Sequence, residues 1–240
     1  MPFSRTRLLL GGAALDKLAR SHVAVFGVGG VGGYAVEVLA RSGVGHLTLI
    51  DNDRIDITNL NRQIIALHST LGQQKVEVMA QRILDINPLC HVTPLPLFYL
   101  PATADEVNLA HFDYVIDCID TVSAKIELVR RCHQLNQEGH PVRIISSMGA
   151  ANKMDPTAFR VADINETQMD PLAKVIRKKL RKLNIDHLKV VYSEEPPLPY
   201  AEGETPPTST TRRAIPASNA FVPAAAGLVI GSEVVKDLIE

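Results

Sequence analysis

The stretch His22-Val-Ala-Val-Phe26 followed by Gly27-Val-Gly29-Gly30-Val-Gly32 decides how this chain is read. Its first five residues form a short apolar run, the pattern of a buried strand, and Gly32–Ser42 behind the glycines reads as a helix leaving that strand. Glycines let the backbone turn tightly and come close to a phosphate. A helix N-terminus adds free N–H groups and partial positive charge. Asp51 stands at the end of the next apolar run, His46–Ile50, where a carboxylate accepts hydrogen bonds from ribose hydroxyls. A glycine turn alone can serve merely to pack helix on strand. Strand, loop, helix and acid in this order make a nucleotide-binding signature.

Working outward, apolar runs and helical periods keep alternating, the grammar of a parallel sheet covered by helices. A helix over 73–86 carries Val76, Met79, Ala80 and Ile83 on one face and stops at Asn87-Pro88. His91–Leu95, 114–119 and 142–146 read as strands, and 124–137 as a helix ended by Gly139. Beyond Gly149 the expectations are a strand over 157–164, a basic helix over 172–183 and a strand over 188–192. Asp170 caps that helix and Pro171 sits in its first turn. Residues 193–213, rich in Pro, Thr, Ser and Glu, read as a mobile loop, and a final helix starts near Ala224. The fold class is therefore α/β: a Rossmann-like, mostly parallel sheet flanked by helices, with a small C-terminal extension. One domain spans 1–240, with an N-terminal arm over 1–20, a nucleotide-binding core over 21–150 and a substrate-side region over 151–240.

Composition excludes several classes. A net charge of −1 rules out a globally basic nucleic-acid binder, and no apolar run reaches the roughly 20 residues of a membrane span. The N-terminus lacks a secretory signal, so a cytoplasmic location is expected. Three scattered cysteines, Cys90, Cys118 and Cys132, suit neither a disulfide framework nor a thiolate zinc site, and read as small buried apolar residues.

The glycine loop and Asp51 fit a dehydrogenase as well as an ATP enzyme. The next segments separate them. Asn59-Leu-Asn61-Arg62-Gln63, Leu71-Gly72-Gln73-Gln74-Lys75 and Asp117-Cys118-Ile119-Asp120 follow in order. Together they resemble the ubiquitin-activating superfamily that includes the ThiF and MoeB adenylyltransferases. The resemblance implies ATP as cosubstrate, with Asp51 on the ribose and Asn59, Arg62, Lys75 and Asp120 around the phosphates. The residue types suit that chemistry. Attack of a carboxylate on a phosphorus of ATP builds negative charge that Arg62, a planar fork, and Lys75, a point charge, can stabilise. Asp120 can hold Mg²⁺. By themselves Arg62 and Lys75 also read as solvated surface charge. Asp117 reads as the cap of a strand end. The resemblance further implies a homodimer in which Arg5 of the arm reaches the neighbouring subunit's ATP site; alone, Arg5 is tail charge.

Three departures narrow the substrate. Thr121 follows Asp120 where MoeB-type enzymes carry asparagine, no pair of Cys-x-x-Cys motifs exists, and no cysteine follows Cys132. A subfamily sharing these features is the tRNA threonylcarbamoyladenosine dehydratase group. The resemblance to it includes Arg41-Ser-Gly-Val-Gly45, Ser146-Ser-Met-Gly-Ala150, Lys153-Met-Asp-Pro156, Met169-Asp-Pro-Leu-Ala-Lys174 and Ala220-Phe-Val-Pro223. It implies ATP-dependent activation of the threonine carboxylate of a modified adenosine in tRNA, then ring closure with loss of water, with a sulfur-transfer protein as a candidate partner. Lys174, Arg177, Lys178, Lys179, Arg181 and Lys182, with Lys189 beyond, form a basic patch suited to RNA phosphates, or simply a solvated helix face with Leu180 and Leu183 inward. Arg212-Arg213 would order on RNA. The competing readings are adenylation of a ubiquitin-like sulfur carrier's C-terminus, and a nucleotide-binding scaffold without catalysis.

Overall fold

The computed structural model describes residues 2–205 and 216–240. Seven strands make one sheet: β1 (His22–Phe26), β2 (His46–Ile50), β3 (His91–Leu95), β4 (Tyr114–Asp117), β5 (Arg143–Ser147), β6 (Phe159–Asp163) and β7 (Lys189–Ser193). Their spatial order is β3-β2-β1-β4-β5-β7-β6. Every pairing is parallel except that of β6 with β7. The chain steps outward from β1 to β3, then returns to lay β4 on the other side of β1. That reversal opens a crevice at the carboxyl ends of β1 and β4, where doubly wound sheets bind their ligands.

The helices are α1 (Ser4–Leu10), α2 (Gly12–Arg20), α3 (Gly32–Ser42), α4 (Lys75–Ile86), α5 (Val122–Gln137), α6 (Pro171–Arg181) and α7 (Val222–Ile239). Side chains of a strand alternate between faces, and β1 shows it. Val23 and Val25 join Val36 and Leu39 of α3, Met79 and Ile83 of α4, and Ala226 and Ile230 of α7. Ala24 and Phe26 join Leu128 and Cys132 of α5 on the other side. A third cluster packs Ile176 and Leu180 of α6 against Val190 and Tyr192 of β7. The region after Gly149 thus extends the same sheet through β6 and β7.

Several boundaries move, each for a local reason. The strand expected over 114–119 ends at Asp117, whose Oδ1 accepts the Ile119 N–H at 3.1 Å and turns the chain. The last helix starts at Val222, because Asn219 Oδ1 accepts the Val222 N–H at 2.9 Å. Asp170 caps α6 as expected, accepting the Ala173 N–H at 2.9 Å. Leu183 falls outside that helix and is 42 % exposed, not turned inward. The loop expected over 193–213 is tied down at its start: the Glu195 carboxylate accepts the N–H groups of Met154 and Asp155. Arg212 and Arg213 lie outside the described residues. Among the described residues no helix is long and apolar enough to cross a membrane.

Candidate active site

The glycine loop is shaped by close approach. Gly27 has φ +88°, and a Cβ there would lie 2.7 Å from the Cys118 carbonyl oxygen; one on Gly32 would lie 1.8 Å from Gly27 O. Only glycine brings these backbones together, and so sets the loop against the chain leaving β4. At Gly29 the nearest side chain, Gln63, is 3.8 Å from such a Cβ. A Cβ on Gly30 would lie 3.3 Å from both Arg62 Cγ and the Cβ of Pro223, in the first turn of α7. Arg62 therefore lies over the phosphate loop.

Asp51 follows β2. Its Oδ2 accepts the Val28 N–H at 2.8 Å and its Oδ1 the Asp53 N–H at 2.9 Å. A carboxylate has about four acceptor positions, so lone pairs remain for ribose hydroxyls. Burial raises the Asp51 pKa, opposed first by the neighbouring Lys75 charge and then by the two N–H groups. Lys75 opens α4 and is 5 % exposed, with Nζ 2.7 Å from Asp53 Oδ2. It is a buried side chain paired with Asp53 and felt by Asp51, which removes the reading as solvated surface charge.

Arg62 is half-buried, and its Nη1 donates to Thr58 O at 2.9 Å and Asn61 Oδ1 at 2.8 Å. Nε and Nη2 have no hydrogen-bond partner among the described residues, and so remain available as a fork toward an anion. Asn59 is buried, and its Oδ1 accepts the Asp56 N–H at 3.1 Å while Asp56 accepts the Thr58 N–H. That oxygen holds the turn that aims Arg62. Asp120 is exposed beyond β4, and its Oδ1 accepts the Thr121 hydroxyl at 3.2 Å. Gly30 thus meets Arg62, Val28 of the loop bonds Asp51, Lys75 acts on the Asp51 charge, and Asp120 stands two residues past the Cys118 carbonyl that meets Gly27.

The ThiF family model matches residues 3–239. The chain belongs to the ThiF family. A relative in Bacillus subtilis (strain 168), tRNA threonylcarbamoyladenosine dehydratase, is 48 % identical over 245 residues, covering 99 % of this chain and 94 % of the relative. The solved E. coli tRNA N6-threonylcarbamoyladenosine dehydratase in complex with AMP matches with a TM-score of 0.86. Its complex with ATP matches with a TM-score of 0.84. Both are 35 % identical, and each match covers 99 % of this chain and 93 % of the solved one.

In this ThiF-family chain one group at the site escaped the reading of the sequence. Asp117, besides capping its strand, pairs with Lys125 of α5 at 3.0 Å, both side chains being sealed from solvent. The signal was present: Lys125 precedes buried Leu128, Val129 and Cys132 by three, four and seven residues, a helical spacing that puts it on the inner face. The three thiols are packing groups. Burial raises the Cys90 pKa to about 11 and those of Cys118 and Cys132 to about 12.

The basic helix divides into two sets. Lys174, Lys178, Lys179, Arg181 and Lys182 are exposed. Arg177 is half-buried, and its Nη1 donates to Ile164 O, Thr167 O and Thr167 Oγ1, which fastens α6 to the turn after β6. Arg181 shares one nitrogen with Asn165 at 3.1 Å. Lys189 leaves the patch entirely, pairing with Glu233 and Asp237 at 2.8 Å each. A cleft lined by Thr167, Met169, Asp170, Lys174 and Arg177 opens beside α6. Asp170 Oδ2 accepts the Gly149 N–H at 2.9 Å, joining this cleft to the segment leaving β5. Arg5 lies apart, exposed on α1 beside Leu8 and Leu9, which are 89 % and 83 % exposed.

Proposed function

We propose that this protein is an ATP-dependent tRNA threonylcarbamoyladenosine dehydratase. The observation that carries the reading is a glycine loop with Arg62 packed on it, Asp51 bonded to it and buried Lys75 acting on Asp51, in a chain so similar to enzymes of that name. ATP is the cosubstrate. Its ribose bonds to the open lone pairs of Asp51, and its phosphates lie along Gly27–Gly32 under Arg62.

The threonine carboxylate of the modified adenosine attacks a phosphorus of ATP and forms a mixed anhydride, as the P–O bond to the remaining part of ATP breaks and that part (pyrophosphate or ADP) leaves. Charge grows on the phosphate oxygens, where Lys75 and the open edge of Arg62 stabilise it more in the transition state than before it. The urea nitrogen attached to adenine then attacks the activated carbonyl. Its proton is released, the phosphorus-bearing group departs with one former carboxylate oxygen, and a five-membered ring closes. The exposed Asp120 carboxylate suits Mg²⁺, which takes one or two carboxylates together with substrate phosphates and disperses their charge. Lys174, Lys178, Lys179 and Arg181 of α6, with Lys182 just past its end, face solvent and are the groups suited to RNA phosphates.

The test is mass spectrometry of nucleosides from modified tRNA incubated with the protein. Loss of one water only with ATP and Mg²⁺ is expected, and none from tRNA lacking the modification. Adenylation of a ubiquitin-like carrier with the tRNA unchanged would instead support the carrier reading. The exposed leucines of α1 beside Arg5 further support a homodimer in which Arg5 completes the neighbour's site. An Arg5→Ala protein mixed with an Asp120→Ala protein then regains activity through one intact hybrid site. No recovery in mixtures shown to exchange subunits would remove that sharing.

A further inference from the structure

Below the crevice sits an ammonium that no reacting group can reach. Lys125 is 1 % exposed and Asp117 0 %. Lys125 Nζ lies 3.0 Å from Asp117 Oδ2, 3.2 Å from Ser146 Oγ and 2.8 Å from Ser147 O, with Asp117 O at 3.5 Å. Ser146 also donates to Asp117 Oδ2. These partners are the last residues of β4 and β5, neighbouring strands whose carboxyl ends form one wall of the crevice.

Each partner leads to a working part of the site. The other oxygen of Asp117 holds the Ile119 N–H, one residue before Asp120. Between them, the Cys118 carbonyl is the group against which Gly27 packs. Ser147 leads through Met148 to Gly149, which is bonded to the cap of α6. A single buried charge thereby joins the phosphate loop, the Asp120 loop and the segment toward the basic helix.

We propose that Lys125 is a positioning residue for carboxylate activation, which sets Asp120 and the phosphate loop against each other by tying the ends of β4 and β5. The proposal rests on reading the crevice as the ATP site. Stability alone gives little reason for such a pair, because apolar side chains of similar volume commonly replace a buried ion pair without loss. Apolar groups would fill the space, but would hold neither Ser147 O nor the Ile119 N–H.

The experiment replaces the pair as a unit, Lys125→Met with Asp117→Leu, and separately makes Ser146→Ala. Thermal unfolding, kcat, the KM for tRNA and the Mg²⁺ concentration giving half-maximal turnover are measured with modified tRNA. The double variant should fold, at an unfolding temperature lowered by the unpaired Ser147 O and Ile119 N–H, and keep its KM for tRNA. Its kcat should fall, and its half-saturating Mg²⁺ should rise, by about 10-fold or more, the usual effect of losing a supporting partner of a metal ligand. Wild-type kcat and Mg²⁺ dependence in a folded double variant would overturn the proposal. If that variant does not fold, Ser146→Ala decides: a several-fold rise in half-saturating Mg²⁺ is expected, and wild-type values overturn it. If the wild-type protein itself gives no ATP-dependent product, the reading of the crevice fails first, and the positioning role with it.

Discussion

The two rims of the sheet both carry charge, and they differ in how much of it is already used. At the carboxyl rim, and among the described residues, Asp51 keeps acceptor positions open, Arg62 binds through Nη1 alone, and Asp120 bonds only its neighbour's hydroxyl. At the amino rim the groups close on one another. Tyr114 donates to Asp237 at 2.6 Å, Lys189 pairs with both Asp237 and Glu233, and Arg143 donates to the Asp237 carbonyl. Burial works against the Lys189 charge, yet the bonds from Asp237 and Glu233 together leave its pKa raised. Burial likewise disfavours the Asp237 carboxylate, and its bonds to Lys189 and Tyr114 leave its pKa lowered. Unspent bonding capacity is what a ligand can use, so the proposed chemistry belongs at the carboxyl rim. The amino rim fastens α7, whose far end places Pro223 beside Gly30.

The largest effect should follow from removing cations at the open rim. Arg62→Ala and Lys75→Ala should each keep the fold and lower kcat by ~10²-fold or more, as loss of a transition-state electrostatic contact does. Steady-state ATP turnover with modified tRNA measures it, and wild-type rates in both variants would erase the difference between the rims.

A smaller effect belongs to α6. Lys178→Glu with Lys179→Glu should raise the KM for tRNA by roughly 10-fold and flatten its salt dependence, because fewer counterions are released on binding. The KM for ATP should stay unchanged. Arg177→Glu is a different case, since it cuts three bonds inside the fold and should lower the unfolding temperature.

How much of this was legible follows from the same contrast. The glycine loop and Asp51 show in the sequence because their spacing is local to one strand-loop-helix unit. Arg62, Lys75 and Asp120 needed the ordered family motifs, since surface and site arginines look alike in composition. Lys125 was within reach through its helical spacing. The fate of Arg177 and Lys189 was not legible, because their partners lie on elements 10 to 48 residues away that only the folded sheet brings near. Charge in a basic run says nothing of whether its bonds are already taken.

At the closed rim, Lys189→Met should leave kcat untouched and cost stability. It strips Glu233 and Asp237 of a partner, which is worth about 1–3 kcal/mol for partly buried groups, or a fall of roughly 2–4 °C in Tm for each kcal/mol. A loss of kcat with unchanged Tm would mean that the amino rim takes part in the chemistry.

The smallest effect concerns the histidines at the start of the strands. In register across β1, β2 and β3, His22 lies 5.6 Å from His46, and His46 lies 4.9 Å from His91, between ring centroids. His22 bonds Thr48 Oγ1 at 2.9 Å and meets the Phe112 ring edge at 4.8 Å. Burial lowers its pKa, His46 and His111 add to that, and Asp113 opposes them. The folded state therefore binds the His22 proton less readily than the unfolded chain does. Its contribution to stability is complete above the unfolded value near 6.5 and declines as pH falls through the folded value, because the unfolded state gains protons first. Denaturant midpoints should therefore fall gently between pH 7 and pH 5, and the His22→Gln protein should show a shallower slope while keeping a side chain able to bond Thr48. An equal slope in that variant would assign the pH response to other groups, and would leave the histidine row as packing alone.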